Sequence, residues 1–274
     1  MIDFFQAILD FRFMQYALLA CLLASIGCGI IGSFVVVKRI GSLAGGIAHA
    51  ILAGMGIAYF FGGSPMIGAT VMALISAILI SQIKFRWKQD EDILIAAFWS
   101  VGMAVGVLFI SQTPGYNINL MSYLFGNILL VSGLDLVRML ILDIVIIVLV
   151  KLFYQQFLAT AFDEEFARLR GVNVQLFDII MLSMIALTVV LLIQIVGLIL
   201  VIALLILPAA TAAQFSHSLP RMMFIAVILS SVLTFTGLAI SYQPDLPSGA
   251  VMIILAGVIY VISIAAKSRL NLDS

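Results

Sequence analysis

The chain has 274 residues, 64% of them hydrophobic and only 9% charged, and its 13 basic and 13 acidic side chains cancel to a net charge of zero. A water-soluble domain carries about 45–50% apolar and about 25% charged residues, so these charges are too few to cover a water-facing surface. A soluble enzyme, a nucleic-acid binder and a secreted disulfide scaffold are thereby excluded, and the mean hydropathy of +1.28 describes an all-α polytopic membrane protein whose length is spent almost wholly in lipid.

A span needs about 20 apolar residues. In chain order the runs that meet this are Phe13–Val37, Ser42–Phe61, Pro65–Ile83, Ile93–Gln112, Leu134–Phe153, Val174–Ile193, Ile195–Phe215, Met222–Tyr242 and Ser248–Ala266. These make about nine spans. Eight remain possible, because the sixth and seventh share one unbroken stretch, which Gln194 and Gly197 divide.

The first run follows Asp3 and Asp10 with only Arg12 as positive charge, and it is longer than a signal-peptide core, so it reads as a retained span. Along it Ala17, Cys21, Ala24, Cys28 and Gly32 recur at helical spacing, a small-residue stripe that lets helix backbones approach closely in lipid. Seven residues of helix separate the two cysteines by about 10 Å, beyond disulfide reach; a soft-metal pair is the remoter reading. On the second run Gly45, His49, Ala53 and Gly56 share a face. His49 lies about 10 Å into a hydrocarbon layer of about 30 Å. A polar group at that depth either marks a pathway or is a neutral histidine bonded to a neighbouring carbonyl, and imidazole is also a common transition-metal ligand.

Asp143 is the one carboxylate deep in a run, and Asp178 lies near the end of another. A proton relay or cation site is one reading of Asp143; a protonated carboxyl bonded to a helix carbonyl is the other. Pro208, in Leu205 to Ala212, is expected to break the seventh helix and free the Leu204 carbonyl for Thr211 or a water. The stretch Phe162 to Val172 reads as one short helix with Phe162, Phe166 and Leu169 in a stripe, acids in its first turn, bases in its last and Gly171 as C-cap. Such a helix docks, either on the membrane surface or in a partner's groove.

The alternation of spans collects Lys38, Arg39, Lys84, Arg86, Lys88, Lys151, Arg168, Arg170, Arg221, Lys267 and Arg269 on one side and leaves Arg12 and Arg138 for the other. Positive residues favour the cytoplasm, so the N-terminus is expected outside and the C-terminus inside. The whole chain, 1–274, reads as a single transmembrane domain with a cytoplasmic loop over 154–173. It has no phosphate-binding G-x-x-x-x-G-K-[ST] loop, so it cannot hydrolyse ATP by itself.

Several stretches in one order then carry a resemblance: Gly32-Ser33-Phe34-Val35-Val36-Val37-Lys38-Arg39, Ala48-His49-Ala50, Met121-Ser122-Tyr123-Leu124-Phe125-Gly126-Asn127, Phe162 to Val172, Leu205 to Ala212, and Asp245-Leu246-Pro247-Ser248-Gly249. Over nearly its full length the chain resembles the permease subunits of the zinc/manganese/iron uptake ATP-binding-cassette importers, most of all the zinc permeases. The resemblance implies a homodimer in a bacterial cytoplasmic membrane, bathed in membrane lipid, with a cytosolic ATPase subunit, an extracytoplasmic metal-binding protein, no catalytic residue and no permanently bound cofactor. It implies a transported divalent metal ion, zinc first and manganese or ferrous iron next. The translocation residues would be His49, Asn127, Asp143, Thr211 and Asp245. The ATPase-coupling helix would present Phe162, Asp163, Glu165, Phe166, Ala167, Leu169 and Gly171.

The family often has Gly-Asp at the positions of Ala44 and Gly45, and an aspartate is also common at Asn127; here the turn before His49 reads Ala44-Gly45-Gly46. A site with fewer carboxylates holds a divalent cation more weakly. The rival reading is a self-sufficient proton-coupled carrier built on His49 and Asp143.

Overall fold

The computed structural model describes residues 2–87, 90–113, 126, 128–244 and 246–272. Among them are twelve α-helices, one short 3-10 turn at Ile128–Leu130, and no strand. The helices are α1 (Ile2–Asp10), α2 (Arg12–Val37), α3 (Gly41–Phe60), α4 (Pro65–Trp87), α5 (Glu91–Ser111), α6 (Gly133–Leu152), α7 (Tyr154–Phe162), α8 (Glu164–Leu169), α9 (Val174–Val196), α10 (Leu198–Phe215), α11 (Leu219–Tyr242) and α12 (Ser248–Leu272). Eight of them, α2 to α5 and α9 to α12, are long and apolar enough to cross a membrane. The ninth expected span forms as α6, which is 20 residues long. Its four charged residues, Asp135, Arg138, Asp143 and Lys151, set it apart from those eight. An all-helical answer follows from lipid, where each backbone N–H and C=O must find its partner within its own segment.

Two boundaries have local causes. Pro65 opens α4, where its missing N–H is not needed. Gly197, at φ +83°, divides α9 from α10 in a conformation that a β-carbon would disfavour. The split thus falls at the glycine, three residues beyond Gln194. Gly126, also at positive φ (+62°), lies with its backbone against Val196 and Gly197, and a β-carbon on it would strike both main chains.

The expected break at Pro208 does not occur: α10 runs unbroken from Leu198 to Phe215. Thr211 does not serve the Leu204 carbonyl; its hydroxyl donates to Leu207 at 2.9 Å. A helix already held by its neighbours tolerates the one missing bond of a proline. The sequence reading also passed over α1, whose Phe4 and Ala7 are buried while Leu9 is exposed.

The chain clusters into two compact units, and each is described by itself. The first comprises Met1–Val36, Leu120–Ile147 and Leu191–Ser274. In it the small stripe of α2 is buried throughout, and Gly32 lets the helix meet the Leu205 carbonyl of α10. Gly29 meets the main chain of Val227 on α11, where a β-carbon would lie 2.6 Å from the Val227 nitrogen. Phe4 packs edge-on against Phe235 and Tyr242 at 5.9 and 5.7 Å between centroids, so α1 caps α11. Gln214 of α10 donates to Ser263 of α12 at 3.0 Å.

The second unit comprises Val37–Asn119 and Val148–Val190. Glycines set its helix crossings. Gly54 and Gly68 bring α3 and α4 into backbone contact. On the other side of α3, Gly102 of α5 faces Ala50 and Gly106 faces Leu52, with added β-carbons placed 2.6 Å from the Ala50 α-carbon and 2.7 Å from the Leu52 carbonyl carbon. Close approach of this kind is the main source of helix association in lipid.

Candidate functional site

His49 sits on α3 in the second unit, half-buried, with its ring stacked on the indole of Trp99 from α5 at 4.5 Å between centroids and 6° between planes. The stack follows from the glycine crossing: Gly102 brings α5 against Ala50, the neighbour of His49, and Trp99 lies one helical turn before Gly102. The Nδ1 atom of His49 is buried without a hydrogen-bond partner. An imidazole held flat on one face with a free ring nitrogen keeps a lone pair or an N–H available to a passing cation or water. One turn further along α3, Ala53 begins the lining of an apolar cavity of about 260 Å³, shared with Met72, Phe98 and Gly102. The aromatic partner was missed from sequence; the signal was Trp99 three residues before a glycine on a facing run.

Asp143 belongs to the first unit. On α6 it lies in a buried stripe with Met139, Ile146 and Val150, while Leu140, Ile141, Ile144 and Ile147 are exposed. Asp143 is 6% exposed, and its Oδ2 has no hydrogen-bond partner. Asp143 therefore faces inward from the apolar side of its helix. Thr211, also in the first unit, spends its hydroxyl proton on its own helix, which leaves only its oxygen lone pairs for a visitor. No hydrogen bond joins Asp143 to Thr211, and His49 belongs to the second unit. Asn127 and Asp245 lie outside the described residues. Among the described residues no three His, Cys, Asp or Glu side chains come together as a metal-binding group. Cys21 and Cys28 are both buried and free.

The loop between α6 and α9 is built differently from the sequence expectation. Phe162 does not share a helix with Phe166 and Leu169; it ends α7, and Asp163 turns the chain out at φ −151° and ψ 100°. The cause is a cap: the Asp163 carboxylate accepts the Phe166 N–H at 2.9 Å, and a capping residue is extended, so no helix continues through it. At the far end the Gly171 N–H donates to Arg168 at 2.9 Å and the Val172 N–H to Ala167 at 3.0 Å, the paired bonds of a Schellman motif. Gly171 supplies the required positive φ, +79°.

Two caps thus fix a helix of six residues that could not persist alone. Ala167 is its buried contact, whereas Phe162, Phe166 and Leu169 are 69%, 49% and 87% exposed. Asp163, Glu165 and Gly171 are exposed beside them. Arg170 lies over the Phe166 ring at 5.1 Å and Arg168 over Phe85 of α4 at 5.3 Å.

Beneath α8 runs a chain of charges whose pairing the sequence does not show. Glu164 bonds Lys84 of α4 at 2.9 Å, Lys84 lies 3.7 Å from Asp178 of α9, and Asp178 accepts from Lys38 at 2.8 Å. The Lys38 and Asp178 side chains are 6% and 0% exposed.

With this geometry in view, comparison with known proteins gives a consistent result. Residues 10–267 match the family described as the ABC 3 transport family. The chain is 42% identical over 262 residues to a probable metal transport system membrane protein of Chlamydia pneumoniae, covering 92% of this chain and 88% of that one. It is 34% identical over 260 residues to a manganese transport system membrane protein, MntC, of Listeria monocytogenes, covering 95% and 92%. Among solved structures it is similar to PsaBC from Streptococcus pneumoniae in complex with Fab, with a TM-score of 0.87, 32% identity and full coverage of both chains.

Proposed function

Because this chain belongs to the ABC 3 transport family, as the membrane-spanning transport component whose ATPase is a separate subunit, we propose that its cargo is a divalent transition-metal ion taken up across the cytoplasmic membrane. Manganese stands first, since relatives are named for it. Zinc and ferrous iron follow; zinc, the first expectation from resemblance, names none of the relatives described above. The family match over 10–267 supports one permease domain from end to end.

The observation that carries the reading is the doubly capped helix α8, with Phe166 and Leu169 exposed and Ala167 buried. An apolar pair on a rigid six-residue stub suits a groove in a cytosolic ATPase. Two copies of the chain would bind two ATPase subunits, and closure of the ATPase pair would press on the two stubs and switch the permease between inward-open and outward-open states. This places the loop over 154–173 in the cytoplasm, with the N-terminus outside and the C-terminus inside, as the basic residues suggest. An extracytoplasmic binding protein would deliver the ion. Along the route His49 offers a nitrogen and Asp143 a carboxylate, donors that suit manganese, zinc and iron alike.

The test is uptake of radioactive manganese, zinc and iron into proteoliposomes holding the permease with its ATPase and binding protein. ATP-dependent uptake, strongest for manganese and lost in Leu169→Asp, is expected. Uptake by the permease alone, driven by a pH gradient and abolished by Asp143→Asn, would establish the proton-coupled carrier instead.

A further inference from the structure

Four side chains of alternating sign, Glu164, Lys84, Asp178 and Lys38, run from the docking helix into the protein, and their exposure falls from 31% at Glu164 through 17% at Lys84 to 0% at Asp178 and 6% at Lys38. They sit at four different places in the chain. Glu164 opens α8, Lys84 is in the last turn of α4, Asp178 is in the second turn of α9, and Lys38 immediately follows α2.

Burying such pairs is a poor way to gain stability, because desolvation cancels much of the Coulomb attraction. What a buried pair does supply is a contact that cannot slide. Apolar side chains can exchange neighbours at little cost, whereas separating the buried Lys38 from Asp178 leaves both charges unsolvated, and parting Lys84 from the partly exposed Glu164 breaks a charge-assisted hydrogen bond of 2.9 Å. The rest of the α8 contact is of the sliding kind, namely Ala167 and the Arg168 guanidinium over Phe85.

We propose that Lys84, held between Glu164 and Asp178, is the positioning residue that transmits force from the docking helix to the membrane helices. A push on α8 moves Glu164, Glu164 carries Lys84 and the end of α4, and Asp178 carries the start of α9 and the turn after α2. Lys84 acts by keeping the four helix ends in step. The Oδ2 atom of Asp178 has no hydrogen-bond partner, so a second acceptor stands ready if Lys84 shifts toward α9 during the stroke. This inference rests on the proposed ATP-driven permease.

The experiment is the number of metal ions moved per ATP hydrolysed in proteoliposomes holding permease, ATPase and binding protein. Lys84→Met is expected to lower that ratio about 10-fold, the size of effect seen when coupling rather than binding is altered. The ATPase still co-purifies with the variant. Glu164→Gln, at the more exposed end, gives a similar loss, the double variant is no worse than the poorer single one, and Lys84→Arg restores the ratio. Should Lys84→Met fail to accumulate, Glu164→Gln carries the test. An unchanged ratio in assembled Lys84→Met or Glu164→Gln, even with less folded protein, overturns the inference, as does a double variant that multiplies the two losses. A wild-type complex with no ATP-dependent transport overturns the functional reading and this inference together. A wild type that couples beside variants that also couple normally overturns this inference alone.

Discussion

Replacing Gly102 by alanine tests whether the α3–α5 crossing holds the His49–Trp99 stack. A β-carbon on Gly102 would lie 2.6 Å from the α-carbon of Ala50 and 3.2 Å from its β-carbon. Packed carbon atoms settle at about 3.5–4.0 Å. The shortfall is therefore on the order of 1 Å, and it falls on backbone, so no rotamer can absorb it and the helices must separate. Overpacking of this kind costs about 1–3 kcal/mol. Alanine also gains up to about 1 kcal/mol over glycine in a helix, which would mask part of the effect. Gly257 on α12 removes the ambiguity, since an added β-carbon there meets nothing within 4 Å. Gly102→Ala should thus be less stable than Gly257→Ala by about 2 kcal/mol, read from SDS-induced unfolding midpoints of the purified proteins. Metal uptake should fall in Gly102→Ala, because the separation opens beside Ala50 and loosens the ring stack, and should be unaffected in Gly257→Ala. Equal midpoints and equal uptake in the two variants would falsify the close-packed crossing as the support of the site.

Two further outcomes follow from the loop and from the charges beneath it. Asp163→Ala removes the cap on a six-residue helix and should weaken ATPase binding about 5-fold, the equivalent of about 1 kcal/mol. Asp163→Ser, which keeps an acceptor, should bind normally in the same titration, and equal affinity for the two variants would show the cap to be irrelevant. Lys38→Met leaves the fully buried Asp178 with only Lys84, at 3.7 Å, and should destabilise by about 3–5 kcal/mol. Adding Asp178→Asn should recover part of that loss, since the uncompensated charge is gone; a strictly additive double variant would count against a buried pair.

Much of the helical frame was legible in the sequence because lipid leaves few choices. Long apolar runs can only become helices there, and eight of the nine expected ones are long and apolar enough to span, with α6 forming as the charged ninth. The end signals were legible for the same local reason: Gly171 adopts the positive φ of a C-cap, and Gly197 the positive φ of a break. The errors arose where a local signal competes with its surroundings. Pro208 predicts a break, but α10, buried along its length, continues through it as one helix. Phe162 was read into the docking helix by periodicity, and the Asp163 side chain overrode that pattern with a cap.

Composition alone placed this chain in a membrane. Periodicity and caps settled where its helices run and that a short stub projects Phe166 and Leu169. Which side chains meet was decided only by the tertiary structure. Nothing along the chain announces that His49 lies flat on Trp99, or that Lys84 stands between Glu164 and Asp178. The physical reason is that helix formation is governed by neighbours three and four residues away, whereas these pairs depend on how closely two backbones approach, which glycines such as Gly102 and Gly106 set only once both helices are in place.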